Sequence, residues 1–75
     1  MTEITYDPDA DATYVTLSGA VVQESAEILP GVVFDYDSAG RLIGIELLDA
    51  RSRLAPGAWS RAPRPAPPRR TPAAE

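Results

Sequence analysis

Gly31-Val32-Val33-Phe34-Asp35-Tyr36-Asp37-Ser38-Ala39-Gly40-Arg41-Leu42-Ile43-Gly44-Ile45-Glu46-Leu47-Leu48 reads as two β-strands, Val32 to Tyr36 and Arg41 to Leu48, around a cluster of turn residues. β-Branched and aromatic side chains fill both runs, whereas Asp37-Ser38-Ala39-Gly40 is built from residues that turns favour. Taking those four as the loop sets a register in which Tyr36 opposes Arg41, Phe34 opposes Ile43 and Val32 opposes Ile45. Side chains alternate across a strand, so Val32, Phe34, Ile43, Ile45 and Leu47 then share one apolar face, the expected core. Val33, Asp35, Leu42, Gly44 and Glu46 fall on the other. A slip of one residue brings Asp35 beside Ile43 and Val33 beside Ile45, which mixes a carboxylate into the buried row, and that register is disfavoured.

The same punctuation divides the chain before this hairpin. Glu3 to Tyr6, Ala12 to Ser18 and Ala20 to Ile28 are further strand candidates, and no connection has room for a parallel crossover. The expected fold class is therefore β-rich (α+β), a small antiparallel meander of four to five strands followed by a short C-terminal helix and a disordered tail. Ser18-Gly19 suits a two-residue hairpin turn that sets Leu17 opposite Ala20 and Val15 opposite Val22, adding Val15, Leu17 and Val22 to the core face. Asp49 stands where its carboxylate can cap a helical turn over Ala50 to Leu54. Pro56 ends that turn by disfavouring helical backbone at Ala55, and Leu54 folds back over the sheet. The domain then spans residues 1–55. A core of this size nets no more than about 3 to 5 kcal/mol, so self-association or a protein partner is expected.

Composition changes where the strands end. Six of the eight prolines lie between Pro56 and Glu75, and no apolar periodicity continues past Leu54, so residues 56–75 are expected to be a disordered, partly polyproline-like tail. Charge divides near the same point: residues 1–50 carry −9, with Arg41 their only base, and residues 51–75 carry +5. The whole-chain value of −4 thus conceals two opposite halves. The 75 residues contain no His and no Cys, and all seven bases are Arg, which removes Ser-His and Cys-His pairs, Cys/His zinc sites and Schiff-base lysines. No catalytic residue and no cofactor is therefore assigned, and the chain is read as not an enzyme. There is no apolar run of the ~18 residues a membrane span needs. The opening Met1-Thr2-Glu3 is not that of a signal peptide, so a cytoplasmic location without membrane attachment is expected.

The order and spacing of three segments carry a family pattern: Tyr6-Asp7-Pro8-Asp9-Ala10-Asp11-Ala12-Thr13-Tyr14-Val15-Thr16-Leu17-Ser18, then Gly31-Val32-Val33-Phe34-Asp35-Tyr36-Asp37, then Gly40-Arg41-Leu42-Ile43-Gly44-Ile45-Glu46-Leu47-Leu48-Asp49-Ala50. Over residues 2 to 54 the chain resembles DUF2283, a bacterial and archaeal family of unknown function. The resemblance implies a small β-rich domain with a short C-terminal helix, usually standing alone. It also implies an antitoxin-like role, since members look like companions of toxin-like genes in some genomes. The family offers no agreed catalytic residues to carry over, and the Arg/Pro tail lies outside the pattern.

Four features compete for function. Asp7, Asp9 and Asp11 alternate as in a calcium loop, but Ala12 stands where the EF-hand needs Gly and Ser18 where it needs a bidentate Glu. The preferred reading is a turn in which Asp7 and Asp11 bond backbone amides, with a weak divalent-cation site as the alternative, reinforced by Asp35 or Asp37 if the two loops share one end of the sheet. Arg61, Arg64, Arg69 and Arg70 in the tail suit phosphate contacts, so an alternative function is nucleic-acid association, set against a solvated extension without a target. Trp59 is either a lone exposed aromatic or an anchor tucking the tail against the sheet. The leading expectation is an acidic protein-binding module, an antitoxin-like partner of a basic toxin or a homo-oligomer, in which Asp35, Asp37 and Glu46 help to steer the partner.

Overall fold

The deciding hairpin forms over the expected residues, Val32–Tyr36 pairing antiparallel with Leu42–Leu48. In the computed structural model, which describes residues 2–57, 59 and 61–65, these are strands β4 and β5. They follow β1 (Glu3–Asp7), β2 (Ala12–Thr16) and β3 (Glu24–Leu29), and helix α1 (Ala50–Arg53) follows them. All five strands lie in one antiparallel sheet of order β1-β2-β5-β4-β3. Residues 66–75, with Arg69 and Arg70, lie outside the described residues.

The Ser18-Gly19 hairpin does not form. β2 pairs with β5, so Val15 stands between Ile4 and Ile45 rather than opposite Val22. The connection of residues 17–23 instead passes from β2 to the far edge, with Leu17 N and Ser18 N donating to Ile43 O at 2.9 and 3.2 Å and Gln23 N to Tyr36 O at 2.7 Å. The strand expected from Ala20 begins at Glu24. A reason lies in composition: β5, Leu-Ile-Gly-Ile-Glu-Leu-Leu, is the most apolar strand and takes the central position, where both its edges are paired. The two edges fall to strands carrying Glu3 and to Glu24 and Glu27, charges that discourage edge-to-edge pairing.

The β4–β5 register also differs from the four-residue-loop reading. Asp37 N donates to Arg41 O at 2.9 Å and Gly40 N to Asp37 O at 3.0 Å, so the loop is the three residues Ser38 to Gly40, with Gly40 at φ 80°. The Asp37 carboxylate stabilises this turn by accepting from Ala39 N and Arg41 N, both at 2.9 Å. Continued regularly, that loop would impose the disfavoured slip. A β-bulge at Ile43 prevents it: Tyr36 opposes Leu42, but Asp35 opposes Gly44, Phe34 opposes Ile45 and Val32 opposes Leu47. The bulge returns Val32, Phe34, Ile45 and Leu47 to a common face, whereas Leu42, expected on the other face, opposes Tyr36 on this one, and every partner differs from the one expected.

On that face the register aligns Ile4, Val15, Ile45, Phe34 and Ala26 in one row across the sheet, beside a second row of Tyr6, Thr13, Leu47 and Val32. The second row is the better covered, since Tyr6, Thr13 and Val32 are buried with Ile43 and Ala50. α1 packs at this end of the sheet. Asp49 precedes it, but in a left-handed conformation with φ 56° and without a side-chain cap bond. Its carbonyl accepts from Ser52 N and Arg53 N at 3.0 and 3.1 Å, and the carboxylate near the helix start belongs to Asp11, which accepts from Arg51 N at 3.3 Å. Ala50 N donates to Asp11 O at 2.9 Å, tying the helix to the β1–β2 turn. Leu54 is half-buried. The chain then comes back to β1, where Trp59 lies against Tyr6 with ring centroids 4.4 Å apart. Of the two readings of Trp59 the anchor is the one observed, and contact with the sheet continues beyond the Pro56 boundary.

Candidate functional site

The three aspartates of the first turn sit together in sequence but are engaged separately. Asp7 Oδ1 accepts from Asp9 N at 3.0 Å, the side-chain turn expected of it. Asp11, at φ 52°, accepts the Tyr6 hydroxyl at 2.8 Å and pairs with the Arg51 guanidinium at 3.8 Å. Asp9 faces Arg64 at 3.6 Å. The loops carrying Asp7–Asp11 and Asp37 lie at opposite ends of the sheet, because Ala12 pairs with Leu48 at one end and Tyr36 with Leu42 at the other. Asp37 therefore cannot complete a site with the first turn. Among the described residues no group of three His, Cys, Asp or Glu side chains converges for a metal ion.

The opposite sheet face holds a polar line that the sequence reading missed. Tyr14, on β2, reaches across Gly44 of β5 and donates to Asp35 Oδ2 of β4 at 2.6 Å, while Ser25 of edge strand β3 donates to Asp35 Oδ1 at 2.6 Å. One carboxylate thus joins side chains from three strands over a fourth. Gly44 permits the crossing: a Cβ there would stand 2.6 Å from Tyr14 Cζ. Burial, the bond to Asp35 and the charges of Asp35 and Glu46 together hold the Tyr14 phenol above its ordinary pKa, so it remains a neutral donor. The available signal was Gly44 itself, since a glycine within a strongly apolar strand marks a close approach.

The remaining candidates divide. Asp37 pairs with Arg41 at 3.2 Å, and the amides of Arg41 and Ala39 with the Arg41 charge lower its pKa. Glu46 is half-buried between Tyr14 and Val33 on the polar face. Arg61 is exposed, and Arg64 is directed to Asp9. Arg53, not singled out from sequence, holds the helix down by donating to Leu48 O at 2.8 Å and to Pro30 O. The carboxylates that were to steer a partner are thus already bonded within the fold at Asp35 and Asp37, which fixes their positions without removing their charge.

Among the described residues the apolar row has no covering layer. Ile4 is 40% exposed, Val15, Ile45, Phe34 and Ala26 are only half-buried, and elsewhere Val21, Val22, Ile28 and Leu29 are exposed. Among the described residues no concave pocket forms and no helix is long and apolar enough to cross a membrane. The chemistry on offer is an open apolar sheet with carboxylates at its ends and edges. Neither a curated protein nor a solved structure matches the chain. Residues 3–51, most of the chain, match the model of the family described as "Protein of unknown function (DUF2283)", and the protein belongs to that family.

Proposed function

We propose that the protein is a non-enzymatic, cytoplasmic binding module that docks a basic protein partner on its open apolar sheet face, in the manner of an antitoxin neutralising a basic toxin. The observation that carries this reading is the row Ile4, Val15, Ile45, Phe34 and Ala26, which crosses all five strands with no second layer over it among the described residues. A sheet normally buries one face against another element, and a partner supplies what this chain lacks. The charge of −9 over residues 1–50 favours a basic partner, whose approach it accelerates, and disfavours nucleic acid. The arginine-based alternative has less support, because Arg64 is engaged with Asp9 within the chain.

Affinity capture from the native host, at physiological and at high salt, tests the proposal. The expected result is one stoichiometric basic protein, lost when Ile4 is replaced by Glu. Ile4 is exposed on an edge strand, so I4E keeps the fold, checked by circular dichroism. Capture unchanged by I4E places the contact elsewhere. Recovery of nothing but a stable monomer by light scattering overturns the reading.

A further inference from the structure

β1 is an edge strand, and on this edge the chain occupies its own surface. The Tyr6 N–H points away from β2 and donates to Pro63 O at 2.9 Å. The Trp59 ring covers Tyr6 at an interplanar angle of 42°, and Ala62 N closes the segment on Trp59 O at 2.9 Å. Arg64 then meets Asp9 in the acidic turn. The segment thus presents three groups in a fixed order: an aromatic ring, a backbone carbonyl just past a turn and a guanidinium. The receiving surface answers each of them, with Tyr6, an unpaired edge amide and a carboxylate.

Self-occupation is weakly held. It rests on one backbone hydrogen bond, one ring contact and an ion pair whose side chains are 66% and 86% exposed, and exposed pairs contribute little. Against it stand two buried polar atoms with no partner among the described residues, Trp59 Nε1 and Thr13 Oγ1, the latter on the cross-strand neighbour of Tyr6. Leaving such groups unsatisfied is costly. A tethered segment competes at an effective concentration on the order of millimolar, so an outside peptide of micromolar affinity displaces it.

We propose that the β1 edge with its acidic turn is a docking edge for an arginine-bearing peptide with an aromatic anchor, which residues 59 and 61–65 occupy in cis and a partner protein's segment occupies in trans. Recognition centres on one edge amide: the backbone bond at Tyr6 fixes the register, and the ring and guanidinium supply specificity. The inference rests on the protein-binding reading above and deepens it by naming a second contact and the partner's chemistry.

The probe is a synthetic peptide with the sequence of residues 57–65. Trp59 is the only tryptophan, so in the Trp59→Phe full-length chain the peptide alone reports. The expected result is a blue shift of peptide emission that saturates only in millimolar excess over the tethered segment, with amide shifts centred on Ile4, Tyr6 and Asp9. Binding falls at least tenfold when the peptide arginines become Glu or when Asp9 becomes Arg. In the unaltered chain, the same peptide with Phe in place of its tryptophan moves Trp59 emission to the red, which keeps the test independent of the variant's folding. Shifts confined to other strands, or none, overturn the docking edge. A captured partner that perturbs Phe34 and Ile45 but not Tyr6 also overturns it while the protein-binding reading stands. Peptide docking at β1 without any captured partner supports the docking edge and leaves the broader reading to fail alone.

Discussion

Gly44 lacks a side chain where Tyr14 needs the room, and the consequences are local enough to measure at single positions. In Gly44→Ala the new methyl meets the Tyr14 ring at a separation of 2.6 Å, so the phenol must leave Asp35 or the sheet must shift. Overpacking of this kind costs about 1–3 kcal/mol, read as a lower urea midpoint with unchanged slope. Tyr14→Phe leaves Asp35 with Ser25 alone and costs about 1–2 kcal/mol. The two proteins separate at high pH. Tyr14 has its pKa raised above the ordinary 10.0, so its stabilisation is complete below pH 10 and is lost as pH rises through the raised value, where unfolded phenol has already ionised. Between pH 10 and that raised value the wild type is expected to lose stability more steeply than Tyr14→Phe, and equal alkaline slopes would show that the bond to Asp35 is not formed in solution. The sequence reading had put Asp35, Gly44 and Glu46 on the polar face, which the register bears out. It could not see Tyr14, because the link spans strands whose adjacency depends on the sheet order.

Elements were more legible than their pairing. β4 was read over its observed span and β5 to within one residue, because period-two alternation and turn residues act locally. Sheet order is set by which strand most needs burial on both edges, a comparison among all five that no dipeptide records. Ser18-Gly19 carries a hairpin signature yet occupies a connection across the sheet, and Gly40 completes a real hairpin whose length was read one residue too long. Two alanine substitutions distinguish these situations. Gly40 stands at φ 80°, where a side chain costs about 1–2 kcal/mol. Gly19 is not among the residues of positive φ, and a Cβ there meets nothing within 4 Å. Gly19→Ala is therefore expected to be neutral or to stabilise by about 0.4–1 kcal/mol through the unfolded chain. Equal losses at both positions in a denaturant series would restore the β2–β3 hairpin and contradict the sheet order.

At the scale of the whole molecule, net charge opposes association through the apolar face that is open among the described residues. Residues 1–50 carry −9, and the chain as a whole reaches neutrality near pH 4.6. Net charge sustains solubility, so its removal should let exposed Ile4, Val21, Val22, Ile28 and Leu29 meet their counterparts on other molecules. Acid unfolding would give the same scattering, and Asp37 separates the two causes. Its carboxylate has a pKa below the ordinary 3.8, so the turn it holds is intact above that value and is lost only as pH falls through the lowered one. Protonation of Asp37 therefore does not account for association at pH 4.6. Light scattering from pH 7 downward is expected to show molar mass rising toward 4.6 with far-ultraviolet circular dichroism unchanged, and falling again when the pH is restored. Val21→Lys with Val22→Lys should blunt the rise by moving both charge and apolar area, whereas Gln23→Lys, which alters charge alone, should only displace it in pH. If Gln23→Lys blunts the rise equally, charge rather than the apolar face governs association, and the surface offered to a partner must be sought elsewhere on the sheet.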